Sequence, residues 1–147
     1  MEEGTVYWHG LRLLVLDVSW LRKIYWVKRL RLARNGFKQL PNEMGTYLKQ
    51  VMKLDLQHND LQTIPRCILE LPSLCELNLS NNKLTEIPDV PEWSSCLTVL
   101  DLSHNQLTSM PLNAVATAIR NLNLSYNMFR TIPVSYTHLT LPTNREV

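Results

Sequence analysis

Residues 51–65 read VMKLDLQHNDLQTIP and residues 74–88 read LCELNLSNNKLTEIP. Laid over one another, the two stretches carry apolar residues at slots one, four, six, eleven and fourteen, asparagine at slot nine and proline at slot fifteen. The same line stands three more times, as VKRLRLARNGFKQLP over 27–41, LTVLDLSHNQLTSMP over 97–111 and IRNLNLSYNMFRTIP over 119–133. The asparagines of the five lines, Asn35, Asn59, Asn82, Asn105 and Asn127, follow one another at intervals of 24, 23, 23 and 22 residues. Self-similarity at a fixed period of this size marks a stacked-repeat architecture, in which each unit covers the apolar edge of its neighbour.

Each slot has a physical reason. Slots four and six lie two apart, as inward-facing residues of a short strand must. The asparagine follows where the chain turns away from the strand. Its amide both donates and accepts, so it can satisfy backbone groups of adjacent repeats in a ladder, which a leucine there would leave unpaired. The proline closes the next turn and directs an extended or tight return. The returns differ from one another: 66–73 (RCILELPS) suits a short helix, 89–96 (DVPEWSSC) contains Pro91 and suits an irregular path, and 113–118 (NAVATA) suits a helix again.

The pattern L-x-x-L-x-L-x-x-N-x-L-x-x-L/I-P resembles that of leucine-rich repeats, and its ending and period resemble the intracellular class of them. The resemblance implies an α/β solenoid with a curved parallel sheet on the concave face and short helical or irregular returns on the convex face. It implies protein-protein binding through the concave side. The side chains expected there are Arg29, Arg31 and Arg34, Lys53, Asp55, Gln57 and His58, Glu76, Asn78, Ser80 and Asn81, Val99, Asp101, Ser103 and His104, and Asn121, Asn123, Ser125 and Tyr126. The three arginines form a basic patch suited to an acidic partner or a phosphate.

On this reading residues 1–26 form a divergent entry or capping unit, and 27–133 hold the five repeat lines. Within the entry unit, Val6 with Trp8 and Leu11 with Leu13 alternate as a strand does, Asp17 or Ser19 is placed to cap a helix over 20–24, and Trp8, Trp20 and Trp26 suit packing at the solenoid edge. The stretch Trp8-His9-Gly10-Leu11-Arg12-Leu13, followed by Asp17 and Trp20-Leu21, resembles the segment that opens the repeats of a Roco-family serine/threonine kinase. That resemblance implies a longer parent with ankyrin repeats before this region and GTPase, COR and kinase domains after it. None of those motifs stands in this chain, so no nucleotide-binding residue is carried over. Two alternatives stay open: a free-standing intracellular repeat adaptor in signalling, and a fragment of an extracellular receptor.

After Pro133 the repeat register is lost. Residues 134–143, VSYTHLTLPT, are what GTC TCT TAT ACA CAT CTG ACG CTG CCG ACG encodes, a string resembling a transposase-end sequencing adapter. Residues 134–147 are therefore expected to be translated adapter and not part of the fold.

Composition bounds the function. Of 147 residues, 45% are hydrophobic and 19% charged, as in an ordinary folded domain. The net charge of +2 gives no reason to expect nucleic acid. It is unevenly spread: residues 1–50 carry nine basic and four acidic side chains, and 51–133 carry five basic and eight acidic ones. There is no G-x-x-x-x-G-K-S/T and no G-x-G-x-x-G, the four histidines lack ligand spacing to the three cysteines, and no Ser/His/Asp arrangement is evident, so no cofactor, no metal and no catalysis are expected. Cys67, Cys75 and Cys96 read as thiols of a reducing, cytoplasmic setting. The acidic start Met1-Glu2-Glu3 does not read as a signal peptide, and no apolar run is long enough to span a membrane. The sequons at Asn78 and Asn123 arise from the repeat itself and are read as unmodified.

Overall fold

The computed structural model describes residues 3–111 and 118–130. The entry segment carries one three-residue strand, β1 (Thr5–Tyr7), and each of the five lines carries one at slots three to five: β2 (Arg29–Arg31), β3 (Lys53–Asp55), β4 (Glu76–Asn78), β5 (Val99–Asp101) and β6 (Asn121–Asn123). They form one parallel sheet in chain order. Pairing places Val6 beside Leu30, then Leu54, Leu77, Leu100 and Leu122 in one inward row, each of them buried. A second row, Leu32, Leu56, Leu79, Leu102 and Leu124, is buried immediately after the strands. Beneath them the slot-eleven residues Phe37, Leu61, Leu84, Leu107 and Phe129 close the other side of the core. No coil encloses its own leucines, so the core exists only between neighbours.

The entry segment is itself a coil in register. β1 pairs residue for residue with β2, and beyond it Trp8 N–H and Gly10 N–H donate to the carbonyls of Arg31 and Ala33. Leu16 falls in the slot of Leu40 and is buried like it. At the asparagine slot this coil has Leu11, which is largely exposed. The alternation ends after Trp8: at Arg12 and Leu14 the backbone turns to positive φ, and no strand forms over Leu11–Leu13. Trp8 and Trp20 meet edge to face with ring centres 6.1 Å apart, against the core. Trp26 instead lies exposed, its indole N–H held by the Lys23 carbonyl at 3.0 Å.

The returns carry three short helices. α1 (Val18–Lys23) is capped by Asp17, whose carboxylate accepts from Ser19 N–H at 2.8 Å. That bond, with a second from the Ser19 hydroxyl, holds the Asp17 carboxyl below its ordinary pKa. α2 (Met44–Tyr47) was not expected; Met44 and Leu48, four apart, turn one face into the core. α3 (Arg66–Leu69) occupies the return read as helical and buries Ile68 and Leu69. Residues 89–96 follow an irregular path that buries Val90 and Trp93. Gly45 on α2 permits close stacking on α3, since a Cβ there would stand 2.6 Å from the Cys67 Cβ. Residues 113–117 of the return over 113–118, the end of the fifth line, and 134–147 lie outside the described residues.

A candidate partner-binding face

The asparagine ladder sets the edge of this face. Asn59 donates from Nδ2 to the carbonyls of Leu32 at 3.1 Å and Leu56 at 3.0 Å, while its Oδ1 accepts from Asn35 N–H at 3.0 Å and Phe37 N–H at 3.1 Å. Asn82 reaches the carbonyls of Leu56 and Leu79 and accepts from Leu61 N–H. Asn105 does the same for Leu79, Leu102 and Leu84 N–H, and Asn127 for Leu102, Leu124 and Leu107 N–H. Asn35 extends the ladder into the first coil, donating to the Trp8 carbonyl at 2.6 Å and accepting from Leu11 N–H at 3.0 Å. Leu11, in the same slot of the entry coil, is largely exposed.

Immediately before each asparagine the chain adopts a left-handed conformation, at Arg34, His58, Asn81, His104 and Tyr126, with φ between 55° and 60°. The entry coil has Gly10 there, at φ 68°, the residue for which this conformation costs least. The turn is worth its strain because it aims the N–H of Arg34, His58, Asn81 and His104 at the next coil's carbonyl, at 3.0–3.1 Å in each case. It also brings their side chains to one rim, where the His104 and Tyr126 rings stack at 4.2 Å, 11° from parallel.

Of the residues expected on the concave side, the structure brings together two strand columns and this rim. The first column holds Arg29, Lys53, Glu76, Val99 and Asn121, and the second holds Arg31, Asp55, Asn78, Asp101 and Asn123. Arg31 Nη1 stands 3.6 Å from Asp55 Oδ2, and Lys53 Nζ 3.7 Å from Glu76 Oε2. These pairs are long and partly exposed, Asp55 the least so, and are of the kind worth about 1 kcal/mol each. Around them is a trough of about 290 Å³ lined by residues of β2, β3, β4 and β5 together with Gln57.

Ser80, Ser103 and Ser125 are not on the face. They are buried, and each hydroxyl and N–H is taken by the side-chain oxygen two residues earlier: Asn78 Oδ1 at 2.7 and 3.0 Å, Asp101 Oδ1 at 2.7 and 3.0 Å, Asn123 Oδ1 at 2.5 and 3.1 Å. The strands end two residues before them, at Asn78, Asp101 and Asn123, so strict alternation no longer sets their direction. Both sequon asparagines are held in these turns. Tyr7 on β1 is a face residue that the repeat pattern missed: the Arg31 guanidinium lies 5.6 Å from its ring centre. Its signal was present, since Tyr7 stands between the inward Val6 and Trp8.

The cysteines lie away from the face. Burial raises the pKa of Cys67 and Cys75, and the Cys96 thiol next to Cys75 adds to its rise. Among the described residues no group of three or more His, Cys, Asp or Glu side chains is arranged to hold a metal, and no helix is long and apolar enough to cross a membrane.

Leucine rich repeat family models match residues 27–87 and 96–117. No curated protein sequence matches the chain. Among solved structures, a leucine-rich repeat protein of Leptospira interrogans superposes with a TM-score of 0.82 at 25% identity, over 95% of this chain and 42% of that one. The leucine-rich repeat domain of APL1B superposes at 0.77 and 27% identity, over 84% and 38%. The leucine-rich repeat domain of the type III effector XopL superposes at 0.84 with 18% identity, over 93% and 50%, a likeness of fold alone. This chain thus spans half or less of the length of each. With five asparagine-anchored coils, a sixth that departs from the pattern at its asparagine slot, and one parallel sheet joining all six, the chain is a leucine-rich repeat protein.

Proposed function

We propose that this chain is a non-catalytic protein-binding module whose concave sheet face receives its partner. The observation that carries this is the gathering of Arg29, Arg31, Lys53, Asp55, Glu76 and Asp101 around one open trough, on a rigid sheet whose inward face is wholly committed to the core. The long ion pairs there are cheap to exchange for intermolecular ones. The basic end, Arg29 and Arg31 with Arg34 at the rim, suits acidic groups of the partner. Leucine-rich repeat domains are in general protein-protein interaction modules, which supports the same reading.

For the parent, the proposal is an intracellular signalling protein. The resemblance of residues 8–21 to the opening of Roco-kinase repeats and the three free thiols support a cytoplasmic, scaffolding or autoregulatory role. Selection of binders from a displayed library of protein fragments tests the binding role. Binders should lose at least about tenfold in affinity when Arg31→Glu, Lys53→Glu and Asp101→Lys are combined, and keep it when Lys49→Glu and Glu70→Lys are made on the returns. Equal loss on both surfaces, or on the returns alone, would refute the concave assignment.

A further inference from the structure

The charges of the concave face are ordered along the solenoid. β2 presents Arg29 and Arg31, β3 presents one of each sign in Lys53 and Asp55, β4 presents Glu76 beside Asn78, and β5 presents Asp101 beside Val99. Strand by strand the face therefore runs from +2 through zero to −1 and −1. Arg34 at the rim of the β2 coil strengthens the positive end. The ion pairs Arg31–Asp55 and Lys53–Glu76 lie along this axis, each with its cation on the earlier strand: β2 to β3 and β3 to β4. The trough follows the same direction across four strands.

From this we infer that the occupant is an extended peptide segment lying across the strands, with an acidic side chain over β2 and a basic side chain over β4 or β5. The inference rests on the concave reading above and adds the chemistry and spacing of the ligand. Neighbouring strands are ~4.8 Å apart, so β2 to β4 or β5 is roughly 10–14 Å. An extended chain advances ~3.3 Å per residue, which sets the two charges about three to four positions apart. A segment carrying only acidic groups is repelled by Glu76 and Asp101, and one carrying only basic groups by Arg29 and Arg31. The second column, Asp55, Asn78 and Asp101, holds its oxygens near the strand ends, and Asn78 and Asp101 already accept from the serines two residues on. Glu76 makes no such serine bond; its ion pair to Lys53, at 3.7 Å, is long, which leaves it the side chain best able to turn toward a ligand cation.

The test is selection of ten-residue random peptides on the full chain, with Glu76→Lys plus Asp101→Lys as a second bait. Both side chains reach the surface of the sheet; because Asp101 Oδ1 also holds the buried Ser103, circular dichroism checks that the double variant folds, and Glu76→Lys alone is the bait if it does not. On the native chain, selected peptides should carry an acid and a base three or four positions apart at about threefold or more above the unselected library, as one exposed charge pair allows. On the variant the base requirement should vanish and acid-only peptides should dominate. Native-chain peptides enriched only in acids would overturn the polarity while leaving the concave reading intact. Peptides that bind equally to the native chain and to a variant with Arg31→Glu, Lys53→Glu and Asp101→Lys would overturn both.

Discussion

Replacing Asn59 by alanine separates the ladder from the leucine core. The side chain accepts two buried N–H groups, Asn35 at 3.0 Å and Phe37 at 3.1 Å, and donates to the Leu32 and Leu56 carbonyls. The carbonyls are insured: Leu32 O still receives Asn35 Nδ2 and Leu56 O still receives Asn82 Nδ2, both at 3.0 Å. The two N–H groups have no such reserve. Each buried, unpaired donor costs about 1–3 kcal/mol, so Asn59→Ala should lose roughly 2–6 kcal/mol. That is a large part of the ~5–15 kcal/mol that holds a domain together. Asn127→Ala, at a less buried rung that accepts from Leu107 N–H, should lose less, about 1–2 kcal/mol. Urea unfolding followed by the four tryptophans reads both. A loss below about 1 kcal/mol for Asn59→Ala, with an unchanged denaturant slope, would show that the ladder is geometry without energy.

Leu77→Ala, at the middle of the inward row, should cost about 2–5 kcal/mol, whereas Arg31→Ala across the same sheet should stay within about 1 kcal/mol; urea titration of the two checks the contrast. Gly45→Ala should cost about 1–3 kcal/mol, because the new methyl meets the Cys67 Cβ at 2.6 Å and α2 must move from α3; a neutral result in the same assay would show that the returns shift freely. The thiols should differ in reactivity: exposed Cys96 reacts first with a disulfide reagent, while Cys67 and Cys75, raised by burial, respond only toward more alkaline pH. A raised pKa means that the folded chain holds those protons more tightly than the unfolded one, so stability contributed by them is complete below the ordinary thiol pKa and lost as pH rises through the raised value.

The repeat coils were legible because three periodicities agree: strand alternation, the asparagine interval and the proline that ends each line. The entry coil was readable only in part. Leu11 at its asparagine slot and Gly10 before it break the pattern, and the register appears once Val6 is seen beside Leu30. α2 was hidden because MGTY has neither a strong cap nor a long apolar stripe, and only packing of Met44 and Leu48 on the core decides it. On the concave face, the charged columns follow from period two and could be named outright. The serines could not, since Ser80, Ser103 and Ser125 lie past the strand ends, where local bonds to Asn78, Asp101 and Asn123 override alternation. The ordering of charge along the solenoid needs the pairing of strands, which no single line of sequence contains.

The proposed function assigns binding to the concave sheet face. The direct measurement is side-chain hydroxyl-radical footprinting of the chain, free and bound to one selected binder. Protection should concentrate on side chains of that face, exposed Tyr7 and Tyr126 and half-buried His58 among them, and leave Tyr25, Trp26 and Met52 as reactive as in the free chain. Protection of Tyr25, Trp26 and Met52 with the concave residues unchanged would place the partner elsewhere and contradict the account.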